Sequence, residues 1–501
     1  MVGKFFPKKL WIIVTISILL IILYWVSRLT NLTIIPIFTD EAIYLRWAQI
    51  ALTDPKWRFI SLIDGKQPLF IWLLLPALKI IRDPLVAGRL VSIILGFVGF
   101  IGMGVLGFFA SKSWKGFIVG SLLYLLIPFF LLYDRLAIYE ALFTAISIWT
   151  LILMYLFAKK QSLGIALVLG SVIGAGLLTK SYAYFFLGLL PVTGLIIPWQ
   201  KSRLKQQVSS LVGLMLAVMV QALIYENLTR LSEFRHIIGQ KNLSFVYSLS
   251  EFISHPFLSF YGNLVGLLGW LVGWLTIPLS VVVVISYIWL FKRDIRKGLF
   301  FMSFFIIPLL ALAFFGKVIY PRFLLFMIPT LLVPVIILAV DTLEKKRLQL
   351  FTAVLMIVLV PLVYFDYFLL TNPIHAPIPS ADRQQFISDW PAGYGVAEIV
   401  NYLQQESQTR HVTLGMEGTF GLFPMAFELY LKDNPNVTFK AYWPVNEIPQ
   451  EMVDLAQNEP VYFVFKEKQE IPENWPLDFV NQYQRGDAPS YMKFYRVLPK
   501  T

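Results

Sequence analysis

Residues 133–157 read YDRLAIYEALFTAISIWTLILMYLF. Three ionisable side chains, Asp134, Arg135 and Glu140, fall within the first eight positions, and the seventeen residues after Glu140 carry no charge. About 20 apolar residues cross ~30 Å of hydrocarbon, so 138–157 reads as a membrane span with its charges gathered at one end. Ten further apolar runs occur at 10–27, 86–110, 117–133, 163–179, 183–198, 208–225, 264–291, 299–315, 323–340 and 350–370. That makes eleven candidate spans, of which several are short, one or two of them candidates for re-entrant or strongly tilted segments. The first run is too long for a cleavable signal peptide, and no small-residue cleavage site follows it.

Composition points the same way. Of 501 residues 57% are hydrophobic and only 14% charged, against about 25% charged in an average soluble protein. Aromatic residues make up 16%, as expected of chains with interfacial aromatic belts. The absence of cysteine excludes disulfide stapling, thiol catalysis and a Cys-ligated metal. The four histidines, His236, His255, His375 and His411, have no metal-binding spacing. A net charge of +12 resembles a nucleic-acid signal until it is divided. Residues 371–501 hold 10 Lys/Arg against 16 Asp/Glu, while residues 1–370 hold 32 against 14. The positive excess therefore belongs to the hydrophobic part, where topology rather than nucleic acid explains it.

Alternate short connections carry that excess: Lys4, Lys8 and Lys9; Lys112 and Lys115; Lys159 and Lys160; Lys201, Arg203 and Lys205; Lys292, Arg293, Arg296 and Lys297; Lys345, Lys346 and Arg347. By the positive-inside rule these are cytoplasmic. The N-terminus is then inside, and an odd number of spans puts the polar tail outside, in a multi-pass protein of the cell membrane. Three long segments fall on the outer side: 28–85, 226–263 and the tail 371–501, which is long enough to be a domain. In the tail, 411–417, 437–443 and 461–466 read as strands, and 394–405 and 423–431 as helices. The expected domains are thus 1–370 in the membrane and a small α/β domain over 371–501, joined by the Pro-rich linker 372–380.

On this topology the remaining charges line one face: Asp40, Glu41, Lys66, Arg89, Asp134, Arg135, Glu140, Lys180 and Arg322. Ionisable residues at spans tend to mark sites. Taken singly, Lys180, Arg89 and Arg322 read best as cations snorkelling to the interface. Glu140 lies inside an apolar run with no local partner, since Arg135 is five residues away and poorly spaced for a helical pair. Asp40 and Glu41 suit the N-terminus of the helix that follows, and local evidence divides evenly between capping and chemistry. The apolar stripe Ala42, Leu45, Ala48 and Leu52 would let 41–52 lie flat in the interface. An acid and a cation (Lys66) at headgroup depth suit displacement of a phosphate leaving group: the carboxylate takes a proton from an attacking hydroxyl, and cations stabilise the charge on the departing phosphate.

These residues carry a resemblance. TDE (39–41), GKQP (65–68), YDRLAIYEALF (133–143), LLTKS (177–181) and YPRFLLFMIP (320–329) occur in an order similar to that of GT-C glycosyltransferases of the protein O-mannosyltransferase and aminoarabinose-transferase type. The likeness covers most of residues 1–370. It implies a polyprenyl-phosphate sugar as donor, inversion at the anomeric carbon, and Asp40 as catalytic base with Glu41 as its supporting partner. Lys66 matches a cation that contacts the lipid phosphate, with Arg322 and Arg135 as further candidates, and Glu140 matches a second acidic position. Two departures stand out: Gln67 replaces the first proline of a Lys-Pro-Pro element, and Glu140 replaces an aspartate. Metal dependence varies across the wider class, and no residues here form a convincing metal site. The acceptor class (protein, lipid or glycan) is open. A lipid-linked sugar flippase or transporter is the alternative the spans alone permit, but such proteins usually carry internal repeats and midplane sites, and neither is visible.

Overall fold

A computed structural model describes residues 8–345 and 347–500; Lys4 and Lys346 of the basic set lie outside the described residues. Seven helices among them are long and apolar enough to cross a membrane: Trp11–Leu29, Pro84–Ser111, Tyr139–Lys160, Lys201–Leu231, Ile295–Phe315, Pro321–Glu344 and Leu348–Thr371. Two bent pairs bring the number to nine when each is one span. The chain is a multi-pass membrane protein.

The bends have visible causes. Trp114–Leu126 and Pro128–Asp134 meet at 67°, and Phe260–Leu275 and Ile277–Arg293 at 107°. At each break a proline, Pro128 or Pro278, opens the second helix; its ring cannot accept a preceding helical turn. The uninterrupted run at 264–291 is therefore two helices and not one straight span. The other two expected spans, 163–179 and 183–198, form the short apolar segments Leu163–Leu177 and Ser181–Ile196. The sequence reading missed a further apolar helix, Leu69–Ile80.

By packing, the chain divides into two compact units. The first comprises residues 1–30, 58–72 and 90–370. Its central helices are Tyr139–Lys160 and Pro321–Glu344, each with 83% of its apolar window buried, whereas Trp11–Leu29 and Leu348–Thr371 are 17% buried. The outer helices expose Leu, Ile, Val and Trp side chains that only lipid could solvate. Close contact inside the unit depends on small residues. A Cβ on Gly170 would lie 2.6 Å from Gln221 Cβ, and one on Gly174 would lie 2.8 Å from Tyr225 Cβ. This i, i+4 glycine pair lets Leu163–Leu177 pack against Leu204–Glu226 backbone to backbone.

The second unit comprises residues 31–57, 73–89 and 371–501. Its five-stranded sheet contains β1 (Val412–Glu417), β2 (Val437–Tyr442), β3 (Val461–Phe465), β4 (Leu477–Gln484) and β5 (Tyr491–Val497), in the order β2-β1-β3-β5-β4. β2, β1 and β3 run parallel, with Val412 opposite Val437 and Thr413 opposite Val461; β5 and β4 continue antiparallel. β1 and β3 are buried throughout, so β3 reads as the unbroken apolar run VYFVF rather than an alternation. The three expected strands and both expected helices are present, as β1–β3, Val396–Glu406 and Leu422–Leu431. Helix Thr39–Thr53 packs on Leu422–Leu431, fastened by Arg46 to Glu428 at 2.7 Å and Gln49 to the Leu429 carbonyl at 3.0 Å.

Candidate active site

The first unit gathers four of the charges singled out above. Glu140 is the second residue of helix Tyr139–Lys160, where the helix dipole favours a carboxylate. Lys180 donates to it directly, and Arg322 Nε lies 3.9 Å from the same oxygen. All three are largely buried, with side chains 4%, 19% and 13% exposed for Glu140, Lys180 and Arg322. Glu140 thus has cationic partners, but they come from 40 and 182 positions further along the chain. Snorkelling does not describe Lys180 or Arg322: each turns its charge toward a buried carboxylate.

Lys66 is tied into the same unit by its neighbours. Gly65 adopts φ 67°, which lets the chain turn so that Lys66 lies 3.5 Å from Asp64, whose other oxygen accepts from Lys241 at 2.5 Å. Gln67 donates to the Ser181 hydroxyl at 2.9 Å, and the Tyr139 hydroxyl donates to the Gln67 carbonyl at 2.8 Å. The Leu69 N–H donates to the Leu178 carbonyl at 2.9 Å. These bonds connect the segment carrying Lys66 to the residues beside Lys180 and Glu140. Gln67, the departure from the proline pattern, therefore supplies a side-chain bond that proline could not.

Arg135 is buried and donates to the Thr30 carbonyl at 2.7 Å. Its neighbour Asp134 belongs to a separate buried cluster. Asp134 lies 3.3 Å from Arg28 Nε and accepts from the hydroxyls of Tyr24 at 3.3 Å and Tyr124 at 3.0 Å. The other guanidinium nitrogens of Arg28 donate to the carbonyls of Leu125 and Tyr124. A buried charge persists only when paired and hydrogen-bonded, and this pair meets that condition.

In the second unit, Asp40 and Glu41 occupy the first turn of helix Thr39–Thr53. Glu41 is fully buried. Its two oxygens accept from Arg89 Nε and Nη2, both at 2.8 Å, and one also accepts from the Phe38 N–H at 3.0 Å. Arg89 further donates to the carbonyls of Leu32, Ile35 and Pro36. The snorkelling assignment fails for Arg89, which is 1% exposed and clamps the loop before the helix. The backbone-capping carboxylate is Glu41's, while Asp40 is half-buried at the helix start. Burial pushes the nearby Tyr430 hydroxyl well above its ordinary pKa; Asp83 and Glu41 add to the rise and Arg89 opposes it. The apolar stripe Ala42, Leu45 and Ala48 is covered by protein, so packing and not a flat interfacial position accounts for it. Among the described residues, no three His, Asp or Glu side chains cluster as a metal site would require.

The same architecture occurs in known proteins. ArnT from Cupriavidus metallidurans bound to undecaprenyl phosphate superposes with a TM-score of 0.59 at 14% identity, over 98% of both chains. Its apo form matches with a TM-score of 0.57. The fold is the GT-C fold. The archaeal oligosaccharyltransferase AglB from Archaeoglobus fulgidus, in complex with an inhibitory peptide and a dolichol-phosphate, shares it with a TM-score of 0.51 at 11% identity, over 91% of this chain and 69% of AglB. A family model described as dolichyl-phosphate-mannose-protein mannosyltransferase matches residues 65–225, the stretch of this GT-C chain that contains Lys66, Arg135, Glu140 and Lys180. No curated protein matches the sequence significantly.

Proposed function

We propose that this chain is an integral-membrane glycosyltransferase that moves a sugar from a polyprenyl-phosphate donor to an acceptor on the outer side of the cell membrane. The observation that carries the reading is the pairing of Lys180 and Arg322 with the buried Glu140, in the unit whose Gln67 bonds to Ser181 and Tyr139 bring in the segment carrying Lys66. Lys180 and Arg322 share the one carboxylate of Glu140, an arrangement that suits a phosphate diester becoming a phosphate monoester as it departs.

In the proposed reaction Asp40 takes the proton from the acceptor hydroxyl. The acceptor oxygen attacks the anomeric carbon from the side opposite the phosphate, with inversion. The bond from that carbon to the phosphate oxygen breaks, and its electron pair leaves with the phosphate, whose added charge Lys66 and Arg322 stabilise. The leaving group needs no proton, so a base matters more than an acid. Glu140 is assigned to holding Lys180 and Arg322, and Glu41 to fixing the Asp40 turn through Arg89. Arg135, which donates to the Thr30 carbonyl, is the further candidate cation for the phosphate. Residues 1–370 are read as the membrane catalytic part with a cytoplasmic N-terminus, and 371–501 as an extracytoplasmic domain.

The test uses radiolabelled polyprenyl-phosphate sugar with purified protein in vesicles. Transfer of label to a water-soluble or lipid acceptor, weakened in Lys66→Ala, is expected. Movement of intact lipid between leaflets without cleavage would replace this reading by a flippase.

A further inference from the structure

In open α/β sheets, ligands bind beyond the carboxyl ends of parallel strands, where loops diverge. In the second unit those ends are Glu417, Tyr442 and Phe465, and aromatic and charged side chains crowd the loops after them. Lys466 is 5% exposed, with its ammonium 4.3 Å from the ring centre of Trp390, 5.8 Å from that of Trp443 and 3.0 Å from the Glu467 carboxylate. A Cβ on Gly418, at φ +121°, would lie 3.0 Å from Lys466 Cε, so the loop after β1 also rests on this lysine. Arg485, fully buried, donates to the carbonyls of Lys466 at 2.8 Å and Ala392 at 3.3 Å. The aromatic loops are therefore held rigid from beneath. Yet Trp443 is 55% exposed and Phe420 47%, large apolar faces that the domain's own core leaves uncovered.

These loops also touch the start of Asp40's helix. The N–H and hydroxyl of Thr39 both donate to the Pro391 carbonyl, at 3.1 and 3.0 Å. A Cβ on Gly421 would lie 3.5 Å from Thr39 Cγ2, and the Phe420 and Trp47 ring centres are 6.3 Å apart.

We infer that the loops carrying Trp443 and Phe420 form the acceptor subsite, and that the acceptor presents a sugar ring to it. The inference rests on the glycosyltransferase reading and on Asp40 as base. A pyranose has an apolar face of weakly positive C–H groups, which complements the negative face of an indole, and a rim of hydroxyls that carboxylates accept from. Asp389, which accepts from the Trp390 N–H, and Glu467, which pairs with Lys466, bring such carboxylates to these loops. Lys466 holds the indoles by cation–π contact and is too deeply buried to be the main ligand group. The same carboxylates disfavour the other occupant of exposed aromatics, an anionic bilayer surface.

The test needs no donor. Saturation-transfer NMR is recorded on the full-length protein in detergent with methyl β-glucopyranoside, methyl α-mannopyranoside and N-acetylglucosamine as probes. Saturation of ring protons is expected for at least one probe, with affinity about tenfold weaker in Trp443→Ala and largely retained in Trp443→Phe, whose ring also guards against a simple folding defect. No transfer to any probe, or equal transfer in Trp443→Ala, would overturn the inference. So would quenching by brominated lipid in nanodiscs that disappears in Trp443→Phe, since the indole would then sit in the bilayer. Lys66→Ala separates the two readings. If it uses donor normally while sugar binding still depends on Trp443, the donor assignment fails and the acceptor subsite stands.

Discussion

Replacing Glu41 by alanine removes one half of a fully buried ion pair. The carboxylate accepts two bonds from Arg89 and one from the Phe38 N–H, all between 2.8 and 3.0 Å, and neither side chain is more than 1% exposed. Arg89 would keep its bonds to the carbonyls of Leu32, Ile35 and Pro36 but would carry an uncompensated charge with no route to water. Breaking a buried pair in this way typically costs about 3–5 kcal/mol. In a unit of this size that corresponds to an apparent melting shift of roughly 10 °C. Thermal unfolding of purified protein, followed by the fluorescence of the second unit's tryptophans, measures it. Glu41→Gln should fall between, since an amide still accepts from the Phe38 N–H but gives Arg89 no charge. The reasoning is refuted if Glu41→Ala melts like the parent while turnover disappears, because Glu41 would then be a reacting group and not the support of the Asp40 turn.

Asp40→Asn should melt normally and bind donor, yet lose about 10²–10⁴ in single-turnover transfer; near-normal transfer would return the base assignment to Glu41 or Glu140. Lys66→Ala should weaken donor use by about 1.5–3 kcal/mol, the scale of one charge-assisted bond, with partial recovery in Lys66→Arg, as read from donor titrations. Gly174→Leu would drive a side chain into Tyr225 and should lower the yield of folded protein on size-exclusion chromatography, whereas Gly164→Leu, which meets nothing within 4 Å, should not. Glu251 has its carboxyl lowered to about 2 by Lys317 and the Ser248 N–H. Because the folded value is depressed, its contribution is present above the ordinary carboxylate range and disappears only as pH falls through about 2. Cleavage of the 246–259 loop by an acid protease should thus stay slow into mild acid for the parent and be faster for Glu251→Gln, with the difference closing as pH falls through about 2.

The helices were legible because hydrocarbon imposes a length and an absence of charge that no other environment demands. Pro128 and Pro278 lay inside runs read as the single spans 117–133 and 264–291, and the bends of 67° and 107° at them were not anticipated. β3 was visible as VYFVF, whereas β4, LDFVNQYQ, is an exposed edge whose polar residues read as loop. β5 alternates only over Tyr491–Tyr495, with Met492 and Phe494 buried, before Val497 breaks the period. The charged clusters were not legible. Glu140 and Lys180 are 40 residues apart, Glu41 and Arg89 are 48, and Arg28 and Asp134 are 106, so Glu140 looked unpartnered and Lys180 and Arg89 snorkelling when read locally. Which acid caps the helix was also hidden. Asp40 and Glu41 are adjacent and chemically alike, and only the return of Glu41 to the Phe38 N–H separates them.

The division of the chain between the two units imposes an order on its synthesis. Residues 31–57 and 73–89 leave the ribosome early, but their packing partners in 371–501 come last. At about 5–20 residues per second, helix Thr39–Thr53 waits roughly half a minute before Leu422–Leu431 exists to receive it. Through that interval its contacts with Leu422–Leu431 are missing, whereas the clamp of Arg89 on Glu41 joins residues already made. A nascent chain stalled or truncated before the last strand would therefore keep its spans but leave the Asp40 segment undocked, an exposed surface for membrane quality-control proteases to recognise.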